Sequence, residues 1–208
     1  MSDSIIVFDL GGVMVKVAYT WEAAVAKSGE SVRSPERLAD RLSACPCFDA
    51  FQAGAVSQTE YLYQLKDYLG LTDASAALRV HNAILLHPFD GTLENIDELH
   101  RRGIETSCLS NTNGPHWELM SNPDLFPAIA ALRQPVLSHE LKAEKPFPEI
   151  YHKFESKTGY SADKIIFFDD LEANVKGALD CGWDAVQIDP DRDPAAQVRR
   201  ALENRKIL

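Results

Sequence analysis

The sequence predicts an α/β fold in which a parallel sheet carries helices on both faces and a small helical cap is inserted after the first strand. Three observations predict it. Beyond residue 90, short apolar or β-prone runs alternate with helical stretches. The first strand, Ile5 to Phe8, is apolar throughout, as a strand buried on both faces must be. Between these regions, roughly Thr20 to His87, the pattern is helical and contains no convincing strand.

The elements follow in order. Ile5-Ile6-Val7-Phe8 is a strand for the sheet centre. Trp21 to Lys27, Glu36 to Leu42, Thr59 to Leu69 and Ala74 to Leu86 have helical periodicity. Ser57-Gln58-Thr59-Glu60 has N-cap character, and Gly70 stops the helix that follows. Asp90-Gly91 is a turn leading into the helix Leu93 to Arg102. Strands at Glu105 to Leu109, Pro135 to Ser138, Ile165 to Phe168 and Ala185 to Ile188 then alternate with helices at Phe147 to Thr158, Leu171 to Cys181 and Ala195 to Arg205. Asp189 to Asp193, with its prolines, is a solvated turn. Strand–helix alternation implies crossover connections and a parallel sheet. The expected division is a core of residues 1–16 and 88–208 and a helical cap of 17–87.

Bulk properties narrow the function. The 208 residues, 45% hydrophobic and 25% charged, suit a soluble globular chain, and the formal charge of −10 argues against nucleic acid or anionic membrane as a partner. An anionic small substrate would need a locally positive site, which a divalent cation can supply. The N-terminus lacks the features of a signal peptide, and no apolar run is long enough for a membrane span. Cys45, Cys47, Cys108 and Cys181 read as free thiols, so a cytoplasmic, reducing location is expected.

Chemistry-bearing residues cluster just after strands. Asp9 follows the first, Ser110-Asn111-Thr112 the second, and Asp169-Asp170 the run Ile165 to Phe168. In a parallel sheet with right-handed crossovers these ends share one edge, so the side chains meet in one crevice. Three carboxylates that close repel one another unless they take up protons or a cation, and Mg²⁺ prefers such oxygen ligands. Gly11-Gly12 lets the backbone approach a phosphate and offers amide donors. Lys145, ahead of Pro146, places a positive charge at the same edge. Asn174 lies one helical turn beyond Asp170, where it can fix the loop. Structural roles compete: Asp9 as a turn residue, Asp170 as an N-cap for the helix near Leu171, Lys145 as a solvated side chain. His139-Glu140 reads as a polar loop. Trp21, Phe48, Phe51 and Tyr61 read as core of the helical unit rather than as a pocket lining.

FDLGGV at Phe8 to Val13, LSNT at Leu109 to Thr112, EKPFPEIY at Glu144 to Tyr151 and FFDDLEANVKGA at Phe167 to Ala178 resemble, in order, the four motifs of the haloacid dehalogenase superfamily. LSNTN and the DD-X-X-X-N form are similar to those of sugar-phosphatase-like members and the phosphatase domain of soluble epoxide hydrolases. The resemblance implies a Rossmann-like core with a cap after the first strand, and a Mg²⁺-dependent hydrolase of small phosphate esters. Asp9 would be the nucleophile that forms an aspartyl phosphate. Ser110, Asn111, Gly11 and Gly12 would hold the phosphate, and Lys145 would neutralise it. Mg²⁺ would sit on Asp9, the Gly11 carbonyl and Asp170, with Asp169 direct or through water.

The pattern breaks at Gly11, where phosphatases of this family usually carry a second aspartate as general acid and base. Such an acid is worth ~10²–10⁴-fold, or about 3–5 kcal/mol of barrier. The loss points to good leaving groups, such as aryl or anomeric sugar phosphates, or to a substitute donor from the cap or water. Two rival functions follow: a 2-haloacid dehalogenase, which also lacks that carboxylate, and a non-catalytic binding protein of the same fold.

Overall fold

A computed structural model describes residues 4–208. Strands β1 (Ile5–Phe8), β2 (Val15–Val17), β3 (Leu85–Pro88), β4 (Glu105–Ser110), β5 (Val136–Leu137), β6 (Ile165–Asp169) and β7 (Asp184–Gln187) form two sheets. The larger runs β5-β4-β1-β6-β7 with every pairing parallel, so β1 is central as its composition demands.

Alternation along β1 sorts the core into two layers. Ile6 and Phe8 face one side with Ile96, Leu99, Val198 and Leu202 of the helices Thr92–Arg101 and Pro194–Asn204. Ile5 and Val7 face the other, with Ile150, Tyr151 and Phe154 of the helix Pro148–Thr158 and with Trp183. Each such fully buried side chain contributes roughly 1.5–3 kcal/mol.

Helices Trp21–Ser28, Phe48–Gln52, Gln58–Leu69 and Ala74–Asn82 gather a third core of their own around Trp21, Tyr61, Leu65 and Val80. Ser57 caps Gln58–Leu69 by accepting from the Glu60 N–H at 3.2 Å, and Gly70 ends that helix at φ 65°. Trp21, Phe51 and Tyr61 are core, as read from the sequence; Phe51 and Tyr61 stack at 4.4 Å.

The structure departs from the sequence reading in several places. The helix starting at Ala74 stops at Asn82, and Leu85–Pro88 pairs antiparallel with Val15–Val17 as a two-stranded stem between helical segment and sheet. A short apolar run such as Ala83 to Leu86 has no periodicity of its own to distinguish strand from helix, and the partner strand decides. Glu36 to Leu42 is not a helix. Thr20 bridges Arg41, whose extended backbone separates the 3₁₀ turns Pro35–Arg37 and Leu42–Ala44. His139 lies in a short helix, Ser138–Leu141, rather than a loop, and its Nδ1 is 3.0 Å from the Thr112 carbonyl. No described helix is long and apolar enough to cross a membrane.

Candidate active site

Strand register builds the site. Phe8 pairs with Cys108 on one side and Phe168 on the other, so the next residue, Asp9, emerges level with the ends of β4 and β6. The Asp9 N–H donates to the Phe168 carbonyl at 2.7 Å, which holds this first step beyond the strand. Asp9 is 8% exposed and Asp169 and Lys145 are more deeply buried still.

Lys145 joins the two carboxylates. Its ammonium lies 3.0 Å from Asp9 Oδ1 and 2.6 Å from Asp169 Oδ2. Burial alone would push this lysine down, but Asp169 and Asp9 outweigh it and hold the group charged, above its ordinary value. The solvated reading of Lys145 is thereby excluded. Its backbone is fixed by Asn111, whose Nδ2 donates to the Lys145 carbonyl at 3.0 Å and whose Oδ1 accepts from the Lys145 N–H at 2.9 Å.

Asp169 is saturated with donors. Beside Lys145, it accepts from the Leu171 N–H at 2.9 Å and from Asn174 Nδ2 at 3.0 and 3.1 Å. Asn174 thus fixes Asp169 rather than Asp170. Asp170 is no N-cap either, because Leu171 holds that position and Asp169 takes its amide.

Oxygens of Asp9, Asp169 and Asp170 lie within 4.8 Å of one another. The crowding is electrostatically costly. Burial, chiefly, and then the charges of Asp9 and Asp169 raise Asp170 to about 7. Asp9 is raised to about 6, mainly by burial and with Asp169 adding to it, against the lowering by Lys145 and Ser110. A hard dication relieves both penalties at once, so the all-oxygen donor set fits Mg²⁺ in kind.

The glycines divide their tasks. Gly12 has φ +75°, and a Cβ there would lie 2.4 Å from the Asp170 carboxyl, so this residue makes room for Asp170. Its N–H donates to the Val15 carbonyl at 2.9 Å, which corrects the expectation that it serves phosphate. At Gly11 a Cβ would meet only Val17 methyls, at 3.5 and 3.7 Å.

A cavity of about 260 Å³ opens over Asp9, Ser110 and Asn111 and is roofed by Leu42, Phe48 and Gln52. Phe48 therefore does line a pocket, against the sequence reading, while its edge packs on Trp21 and Tyr61. Sequence reasoning also missed Gln52 and His116, which carry no motif. Gln52 Oε1 accepts from Asn113 Nδ2 at 2.6 Å, and Asn113 Oδ1 accepts from His81 Nε2 at 3.0 Å. His81 stacks on His116 at 4.0 Å, and Tyr61 Oη lies 2.9 Å from His81 Nδ1.

A parallel sheet whose central strand delivers a buried aspartate to a lysine and two further carboxylates defines an α/β enzyme with an aspartate-centred site. Residues 4–182 match the haloacid dehalogenase-like hydrolases, and the chain belongs to that family. Among solved structures, it is similar to a HAD-family enzyme of Bacteroides thetaiotaomicron in its magnesium complex, at 22% identity and TM-score 0.79, over 96% of this chain and all of that one. That enzyme was also solved with magnesium and inorganic phosphate, at TM-score 0.75 and 22% identity, over 91% and 96% of the two chains. An L-2-haloacid dehalogenase of Xanthobacter autotrophicus with chloropropionic acid covalently bound matches at 18% identity and TM-score 0.62, over 99% and 84%. At these identities the likeness is one of fold.

Proposed function

We propose that this hydrolase is a Mg²⁺-dependent phosphoric monoester hydrolase acting on small phosphate esters through Asp9. The observation that carries the reading is the packing of three carboxylates within 4.8 Å around the end of the central strand, with a buried ammonium on two of them. The metal complexes of the Bacteroides enzyme, one with phosphate, support it.

Asp9 Oδ1 is held by the Leu10 N–H at 2.7 Å and by Lys145, so Oδ2 is the attacking oxygen. It bonds to phosphorus as the ester P–O bond breaks, and the departing oxygen takes a proton from solvent. Water then attacks the aspartyl phosphate, releases inorganic phosphate and restores the carboxylate. Ser110 and the Asn111 main-chain N–H hold phosphoryl oxygens, because the Asn111 side chain is committed to Lys145. Lys145 orients the nucleophile and offsets the charge gathering beside it. Asp9, Asp170 and the Gly11 carbonyl would hold Mg²⁺, with Asp169 acting through Lys145 and water. When bound, the ion supplies charge neutralisation that lets an anionic nucleophile meet an anionic phosphate. Residues 17–87 form the cap over this site, with residues 1–16 and 88–208 as the catalytic core.

The test is a panel of phosphate esters and 2-haloacids, each with Mg²⁺ and with chelator. Phosphate release that needs Mg²⁺ and falls on the order of 10⁴-fold or more in Asp9→Asn is expected. Halide release in the presence of chelator would replace this reading with a dehalogenase. Activity untouched by Asp9→Asn would leave a non-catalytic binding protein.

A further inference from the structure

We infer that the ester group taken by this site is compact, uncharged and apolar, of phenyl or benzyl size, and that Leu42 and Phe48 set that preference. The inference rests on the phosphatase reading of Asp9 and narrows it from phosphate esters in general.

Size comes first. The cavity over Asp9 is about 260 Å³, below the ~300–1,000 Å³ of sites for drug-sized ligands. Once a phosphate occupies the floor beside Asp9, Ser110 and Asn111, the remaining walled space matches one small ring or branched chain in size.

The walls decide the chemistry. Val17, Leu42, Phe48, Ile84, Met120 and Leu171 line the cavity, drawn from stem, roof and core alike. No Lys or Arg is among its described lining residues, and the neighbouring Lys145 is already shared by Asp9 and Asp169. A second phosphate or a carboxylate on the substrate would lose its water against hydrocarbon with no counter-charge. A polyhydroxylated sugar is served little better. Gln52 is bonded to Asn113, the Asn111 side chain to Lys145, and His116 Nε2 to the His81 carbonyl at 2.9 Å. These polar groups face the cavity with partners already in place, so sugar hydroxyls would exchange water for incomplete hydrogen bonding.

Two further features agree. Leu171 lines the same cavity yet remains 52% exposed, apolar surface that an apolar ligand would cover, while the Tyr19 hydroxyl there already donates to Asp170 Oδ2 at 3.3 Å. Beside Gly11, the Val17 methyls lie 3.5 and 3.7 Å from where a Cβ would sit. That flank is hydrocarbon and offers no proton, which favours leaving groups stable as anions, aryl over sugar.

The experiment compares kcat/KM of the Mg²⁺-loaded protein for benzyl phosphate, glycerol 3-phosphate and 3-phosphoglycerate, all alkyl esters, so that differences report the pocket rather than intrinsic reactivity. Benzyl phosphate is expected to lead both others by at least tenfold. Leu42→Lys and Phe48→Arg, with folding checked by circular dichroism, should each shift the ratio of 3-phosphoglycerate to benzyl phosphate upward by tenfold or more. Leu42→Lys stands alone if Phe48→Arg fails to fold. Equal or better turnover of glycerol 3-phosphate or 3-phosphoglycerate by the wild type overturns the inference while leaving the phosphatase reading intact. An unchanged ratio in a folded Leu42→Lys also overturns it. Failure to hydrolyse any of the three, or phenyl phosphate, removes the phosphatase reading and this inference with it.

Discussion

Two adjacent glycines at the end of the central strand have opposite tolerances. Gly12 sits at φ +75° with the Asp170 carboxyl 2.4 Å from the place of a Cβ. Gly12→Ala is therefore expected to displace Asp170 and abolish any Mg²⁺-dependent rise in melting temperature, measured by thermal denaturation with and without the ion. Gly11 would place a Cβ in ordinary contact with Val17. Gly11→Asp should fold and restore a carboxyl beside the departing oxygen. Turnover of alkyl phosphates should rise, by up to ~10²–10⁴-fold if the acid is well placed, and aryl phosphates should gain much less. An equal gain for both ester types would show that proton donation is not what the wild type lacks. Asp9, Lys145, Asp169 and Asp170 were legible in the sequence because each ends or follows a strand or precedes a proline. The tasks of Gly12 and Asn111 were not, because their partners Val15 and Lys145 are assigned only by the folded backbone.

Among the elements, the helices Ala74–Asn82 and Gly114–Met120 meet through stacked histidines with ring planes 5° apart. Both rings are pushed toward the neutral form. Burial lowers His116 from 6.5 to about 4, and burial together with His116 pushes His81 well down. A histidine whose folded value is depressed contributes stability that is complete above the unfolded pKa and is lost as pH falls toward the folded one. For His116 that window runs from 6.5 to about 4, and the whole contribution is of the order of 3 kcal/mol. Protonation at Nδ1 would also set a donor against Asn113 Nδ2, 3.4 Å away. Between about pH 7.5 and pH 5 the wild-type urea midpoint should fall relative to that of His116→Gln, because the raised carboxyls of Asp9 and Asp170 move both proteins the opposite way and alike. Parallel slopes for the two proteins would contradict this. The stem strands β2 and β3 escaped the sequence for a related reason: three- and four-residue pieces acquire strand character from each other.

At the scale of the whole molecule, a metal held by the three carboxylates would tie sheet stability to Mg²⁺. Whatever binds the folded site and not the unfolded chain stabilises by mass action. Mg²⁺ at a hundredfold its Kd should add ~2.7 kcal/mol, or roughly 5–10 °C in a chain of this length. Asp170→Asn should lose that increment while melting normally in chelator, because it also removes a repelled charge. Equal Mg²⁺ shifts in both proteins would place the ion elsewhere.

By itself the sequence determined the alternation of strand and helix, the apolar central strand, the helical insertion and the edge where the polar residues gather. Each is written in local period and order, and a parallel sheet with crossovers has few ways to arrange them. Only the tertiary structure decided which oxygen of Asp9 is held, that Asn174 serves Asp169, and that Leu42 and Phe48 roof the site. Those outcomes depend on contacts between residues far apart in the chain, and such contacts leave no periodic trace in composition or spacing.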